Sequence, residues 1–85
     1  MSKENEIKDI IDLLNEVGDD RTVPRNIRAT AANAIEKLND ESKDASLRAS
    51  EAISLLDDIS TDLNMPVHAR TKIWNIVGML ESVQR

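Results

Sequence analysis

Aliphatic residues return along the chain at helical spacing in four separate stretches. In the first, Ile7, Ile10, Ile11, Leu14 and Val17 follow an i, i+3, i+4, i+7 pattern, with Lys3, Glu6, Asp9 and Asn15 on the other sides. Ile27, Ala31, Ala34, Ile35 and Leu38 form a second stripe, and Ala49, Ala52, Ile53, Leu56 and Ile59 a third. The fourth runs through Ala69, Ile73, Ile76, Val77, Leu80 and Val83. Gly18 is expected to end the first helix, the stretch Gly18 to Thr22 has turn composition, and Pro24 suits the first turn of the next helix. The polar stretch Asn39 to Asp44 separates the halves, with Ser42 or Asp44 as the N-cap of the third helix, and Ser60 to Asn64 leads into Pro66. No stretch alternates with period two. The pattern therefore predicts an all-α fold, a four-helix antiparallel bundle in which each helix has about 14 to 18 residues and a length of about 21 to 27 Å.

The four stretches form two hairpins that resemble each other. Sliding the chain by 42 residues aligns 10–38 with 52–80 without a gap, and 8 of the 29 positions are identical. Four of those identities are not aliphatic: Asp20 with Asp62, Pro24 with Pro66, Arg28 with Arg70 and Asn33 with Asn75. Shared helical phase does not explain polar and proline matches, so the chain reads as two copies of one helix-hairpin unit, about 3–40 and 44–84, in a single domain 1–85. Pro is expected to start each second helix, and Arg28 and Arg70 to reach back to Asp20 and Asp62.

Charge follows the helices. The first and third carry Glu4, Glu6, Asp9, Asp12, Glu16 and Asp44, Glu51, Asp57, Asp58. Arg21, Arg25, Arg28 and Lys37 lead into and along the second, and Arg70, Lys72 and Arg85 lie on the fourth. Consecutive helices pack side by side, so each acidic helix is expected to be balanced by a basic neighbour. The competing reading is a basic face around Arg21, Arg25 and Arg28 that holds a nucleic acid. Net charge of −5, from 16 acids against 11 bases, makes nucleic acid an improbable partner, because affinity for it comes largely from neutralising phosphates.

Composition narrows the chemistry further. Of the 85 residues none is Cys, Phe or Tyr and one is Trp, so thiolate chemistry, disulfides and aromatic stacking platforms are absent. No apolar run is long enough to cross a bilayer, and the start Met1-Ser2-Lys3-Glu4 lacks signal-peptide character, so a cytoplasmic protein is expected. The single histidine, His68, has no second imidazole for a metal and reads as a surface or half-buried helix residue rather than a catalyst. Asp19-Asp20, Asp40-Glu41 and Asp57-Asp58 lack the spacing of a calcium loop, and two glycines cannot build a phosphate-cradling loop. No catalytic, metal or cofactor site is expected.

Trp74 and Gly78 are the most suggestive positions. They stand four apart in the fourth helix, whereas the first unit has Ala32 and Glu36 there. Glycine inside a helix costs about 1 kcal/mol against alanine, which calls for a reason such as a close helix approach. Two readings follow: Trp74 plugs the bundle end while Gly78 admits a neighbouring helix, or the two anchor an interaction face with Val67 and Arg70, widened by Met79.

Two family resemblances accompany these residues. Leu13-Leu14, the acidic turn, Ile27-Arg28, Ala31-Ala32 and Ile35 to Leu38 resemble a HEAT-type helical hairpin, which implies a helix-pair scaffold for protein contacts. The second unit keeps Arg70 but has Ile73-Trp74 for the alanine pair, and two units are fewer than a solenoid needs, so a closed bundle is the expectation. Taken whole, including Asp20 to Arg25 and the Met65-Pro66 turn, the chain is similar to a family of small uncharacterised archaeal proteins. That resemblance implies an archaeal, cytoplasmic helical bundle and supplies no activity. The sequence as a whole predicts a non-enzymatic protein–protein contact or assembly module, with a homodimer among its forms. The alternative is a nucleic-acid accessory protein using the second and fourth helices.

Overall fold

The computed structural model describes residues 2–85. Four helices follow one another: α1 (Lys3–Asp19), α2 (Arg25–Leu38), α3 (Ala45–Ile59) and α4 (Val67–Gln84). They run up, down, up, down in a body of 33 × 19 × 19 Å. Each helix packs on its chain neighbours, and α4 packs back on α1 to close the ring. Across the diagonals α1 meets α3, while among the described residues α2 and α4 stand apart. The sequence-predicted bundle is the observed one.

The stripes form the core. Ile10, Leu14, Ile27, Leu38, Leu56, Ile73, Ile76 and Leu80 are fully enclosed, and Ile11, Ile35, Ile53 and Val77 pack half-buried around them. Alanines 31 and 34 of α2 and 49 and 52 of α3 are fully buried as well, in the two helices that pack most extensively on each other.

All three interhelical turns use one device. Asp20, Asp40 and Asp62 each accept the amide hydrogen of the residue two ahead, Thr22, Ser42 and Asn64, at 2.9, 3.1 and 2.8 Å. The backbone then closes from Val23, Lys43 and Met65 onto the same three aspartates. This Asx turn satisfies backbone groups that the helix ends leave open. Helices begin five residues after each aspartate, at Arg25, Ala45 and Val67. Asp44 caps α3 by accepting from the Leu47 amide at 2.8 Å. Pro24 and Pro66 occupy the cap positions of α2 and α4 with extended ψ near 150°, one residue before the first helical turn expected for them.

Gly18 does not end α1. The helix continues to Asp19, and no glycine has positive φ. The Asp20 carboxylate, with Thr22 on it, provides the stop instead.

A buried cation lies inside the bundle where the apolar count passed over it. Arg48, 5 % exposed, donates from one terminal nitrogen to the Leu38 carbonyl at 2.9 Å and from the other to Glu4. It thereby ties α3 to the end of α2 and the start of α1. Among the described residues the expected acid–base complementarity of neighbouring helices holds on the α1–α4 seam alone, through Glu16 and Lys72 at 3.4 Å. Among the described residues Arg25, Arg28 and Lys37 form no ion pair, and the Glu4–Arg48 bridge joins the two helices read as acidic. Lys43, in the second turn, bonds Glu51 of α3 at 2.7 Å, and that carboxylate raises the lysine's pKa.

Candidate interaction face on α4

Each residue advances a helix by 100°, so Val67, Thr71, Trp74 and Gly78 line the side of α4 opposite Ala69, Ile73, Ile76, Leu80 and Val83. The inner set is buried and the outer set open: Val67 is 78 % exposed and Trp74 60 %. Leu63, in the turn that feeds α4, is 93 % exposed. Trp74 alone offers on the order of 100–150 Å² of ring surface, and the three side chains together reach the few hundred Å² at which exposed apolar patches mark contact sites.

Three expectations for this helix are corrected. Trp74 does not plug a bundle end, because it points away from the core. Gly78 admits no neighbouring helix, since a Cβ placed there meets nothing within 4 Å. Met79 does not widen the face either. It packs half-buried against the core.

The two hairpins differ on this outer face. At the 42-residue offset Leu63 corresponds to Arg21, Val67 to Arg25, Trp74 to Ala32 and Gly78 to Glu36. Arg21, Arg25, Ala32 and Glu36 are exposed as well. One hairpin thus presents charge and a methyl group at four equivalent surface positions where the other presents Leu, Val, Trp and a bare backbone.

Polar contacts fix the edges of the face. Lys72 reaches Glu16 on one side, and Arg70 turns to the Ser60 and Asp62 carbonyls at 3.3 and 3.1 Å on the other. Arg28 likewise donates to the Val23 carbonyl at 3.0 Å. Neither arginine meets the carboxylate expected for it. Both arginines brace the turn backbone ahead of their own helix. Arg70 therefore borders the face without being free to serve it, and of the proposed basic face only Arg21 and Arg25 remain exposed.

His68 meets Asp20 at 2.9 Å and Thr22 at 3.1 Å, both through Nε2. A nucleophile–histidine–acid relay needs the two ring nitrogens to divide those roles, so this cluster is not a relay. The Thr22 hydroxyl donates to Asp20 at 2.6 Å, and with the Thr22 amide and His68 it lowers the Asp20 pKa from 3.8 to about 2. Asn26 stands at the position equivalent to His68 and donates to Asp62 at 3.0 Å. Each hairpin's turn aspartate is thus held by the other hairpin's second helix.

The remaining surface holds little that could do chemistry. A cavity of about 150 Å³ beside Arg48 is lined by Glu4, Lys8, Asn39 and Glu41, and a second of about 440 Å³ by Asn33, Glu36, Lys37, Asp40 and Leu55. Neither lining contains a Ser, Thr, Cys or His side chain. Among the described residues no three His, Cys, Asp or Glu side chains converge as metal ligands, and no helix is long and apolar enough to cross a membrane.

Leu63 was missed in the sequence because it lies in a turn. Its signal was the replacement of Arg21 by a large aliphatic residue at the repeat offset.

Comparison with known proteins agrees with the fold. A UPF0147 protein of Thermococcus kodakarensis is 52 % identical over 79 residues, covering 92 % of this chain and 95 % of the relative. A UPF0147 protein of Sulfurisphaera tokodaii is 48 % identical over 81 residues, covering 95 % and 91 %. The crystal structure of a protein of unknown function, MMP1188, superposes with a TM-score of 0.94 at 48 % identity over 99 % of this chain and 96 % of that one. A crystal structure from Thermoplasma acidophilum, of a protein from the same uncharacterised family, gives 0.89 at 34 % identity, over 95 % of each chain. The model of the uncharacterised protein family UPF0147 matches residues 1–83, and this chain belongs to that family.

Proposed function

We propose that this chain is a non-enzymatic contact module whose docking surface is the outer face of α4, formed by Leu63, Val67, Trp74 and Gly78. One observation carries the reading. Along this face the second hairpin has lost charge or gained apolar surface at four exposed positions, 63, 67, 74 and 78, relative to 21, 25, 32 and 36 of the first, while one position, Thr71 for Ala29, changes the other way. Large apolar side chains held in water gain nothing for the fold, whereas at an interface a tryptophan beside a small residue is a common anchor. A nucleic-acid role through Arg21, Arg25 and Arg28 finds less support, since Arg28 is committed to its own turn and the net charge is −5.

The repeat supplies an internal control. A photoreactive benzophenone side chain is placed at position 74 and, in a second protein, at the equivalent position 32, and each is irradiated in an extract of native cells. Adducts at 74 with none at 32 are the expected result. Equal yields at both positions, or no adduct at either, would overturn the assignment of the face to α4.

A further inference from the structure

We propose that the occupant of the α4 face is a second copy of this chain, paired α4 on α4 in antiparallel order, with Trp74 of each copy seated over the partner's Gly78. The inference rests on the contact-face reading and adds the identity of the partner.

The face is complementary to itself in one orientation. Trp74 and Gly78 are one helical turn apart, so a two-fold axis passing near residue 76 brings each indole over the bare backbone of the other copy. Both copies contribute the same knob and the same recess, as an isologous interface requires. Open space above Gly78, where an added Cβ meets nothing, is the room that the incoming ring needs. The parallel arrangement fails this test. It would stack Trp74 on the partner's Trp74, leave two glycines facing across a void, and set Glu81 against the partner's Glu81.

Charge agrees with the antiparallel order. The chain as a whole is at −5, which opposes association of like copies over most of its surface. Along this stripe Val67, Thr71, Trp74 and Gly78 carry no charge, and Lys72 is already held by Glu16. The pairing puts Glu81 opposite the partner's Thr71, a hydroxyl, instead of opposite a second carboxylate. It lays the aliphatic stem of Arg85 along the partner's Val67 and toward Leu63, which would otherwise stay wet.

Area sets the strength. One outer helix strip with Leu63 amounts to on the order of 400–500 Å² a side, so the pair buries about 800–1,000 Å² in all, under the ~1,200–2,000 Å² of tight complexes. The dimer is therefore weak, forming between about ten micromolar and one millimolar.

Sedimentation equilibrium across that range tests it, on the parent and on Trp74→Ala and Gly78→Glu, which install in α4 the residues that α2 carries. The parent is expected to move from 9.5 kDa toward twice that mass, and either substitution to weaken association at least tenfold while circular dichroism stays unchanged. A second measurement fixes the order of the helices. The natural chain has no cysteine, so Asn75→Cys and Gln84→Cys each give a single spin-label site. In the antiparallel dimer the axial separation is about 3 Å for labels at 75 and about 24 Å for labels at 84, whereas a parallel one holds both pairs at equal distance. A parent that stays monomeric to one millimolar, a dimer indifferent to both substitutions, or equal label distances would each overturn the proposal. Adducts at position 74 to a different protein, with a monomeric parent, would remove the second copy and leave the contact-face reading standing.

Discussion

At the scale of single residues, Gly78 and Arg48 are two that intrinsic propensity and burial rules disfavour. Gly78 is interior to α4, has ordinary helical φ, and has open space where its side chain would be. Gly78→Ala is expected to raise the stability of the monomer by about 1 kcal/mol, because alanine removes backbone freedom from the unfolded chain at no steric cost. Urea melts at low micromolar concentration check this, and a loss of stability would mean that the backbone there is constrained in a way the geometry does not show. Keeping a residue that weakens the fold is intelligible if its use lies outside the fold. Arg48 poses the opposite case. Its two terminal nitrogens are satisfied, but Nε has no partner and the guanidinium is shut away from water. Glu4 is largely exposed and regains water if the bridge is cut, so Arg48→Met should stay within about 1 kcal/mol of the parent. Arg48→Ala, which also removes the stem that fills the space, should cost about 2 kcal/mol or more. Equal losses in the two variants would show that the charge, not the stem, holds α1 and α2 to α3.

Helices and turns divide differently between what the sequence revealed and what it concealed. The four stripes were legible because burial on one side leaves a periodic trace, and the inner residues of α1, α2 and α4 lie where that trace put them. The phase of α4 also bears on Trp74, which sits between Ile73 and Ile76 in sequence but about 140° around the helix from the middle of the buried stripe, on the exposed side. Arg48 escaped because a count of apolar residues skips a cation whose stem does the packing. The shared turn escaped for another reason. Asp-Arg-Thr, Asp-Glu-Ser and Asp-Leu-Asn look like ordinary polar loops until the hydrogen bonds show the same carboxylate role in all three. That role predicts a pH dependence. Asp20 is lowered to about 2 by Thr22 and His68, while Asp40, held by Ser42, and Asp62, held by Asn64 and Asn26, are lowered as well. A carboxyl depressed in the folded state stabilises the fold above its unfolded pKa, and the contribution disappears as pH falls through the folded one. For Asp20 the window runs from 3.8 down to about 2. The thermal midpoint should fall across that window, and Asp20→Asn should flatten the fall. Parallel curves for parent and variant, followed by circular dichroism, would dismiss the turn as an acid-sensitive element.

The whole molecule is a closed ring of helices, and closure is written along one seam. Lys3 donates to the Arg85 carbonyl at 2.6 Å, Lys72 meets Glu16 and His68 meets Asp20. In each pair the two residue numbers add to 88, so α1 and α4 lie antiparallel in constant register from one end of the bundle to the other. The first and last helices are therefore neighbours along their length although no turn joins them, across a seam less extensive than the other three. Connectivity, on this view, contributes less to the architecture than the stripes and the turn aspartates do. A circular permutant tests that claim: Arg85 is joined to Ser2 by about four Gly and Ser residues, enough to span the gap between adjacent helix ends, and the chain is opened in the exposed turn between Asp40 and Ser42. It should fold to the same bundle with a single cooperative transition and lose no more than about 2 kcal/mol, mostly from cutting the Asp40 turn and loosening the α2–α3 seam. The α4 face is untouched by the cut, so the permutant should keep the parent's self-association. A permutant that folds but no longer associates would place the interface at the opened turn instead of on α4. One that fails to fold would mean that the α2–α3 connection, between the two hairpins, nucleates the structure.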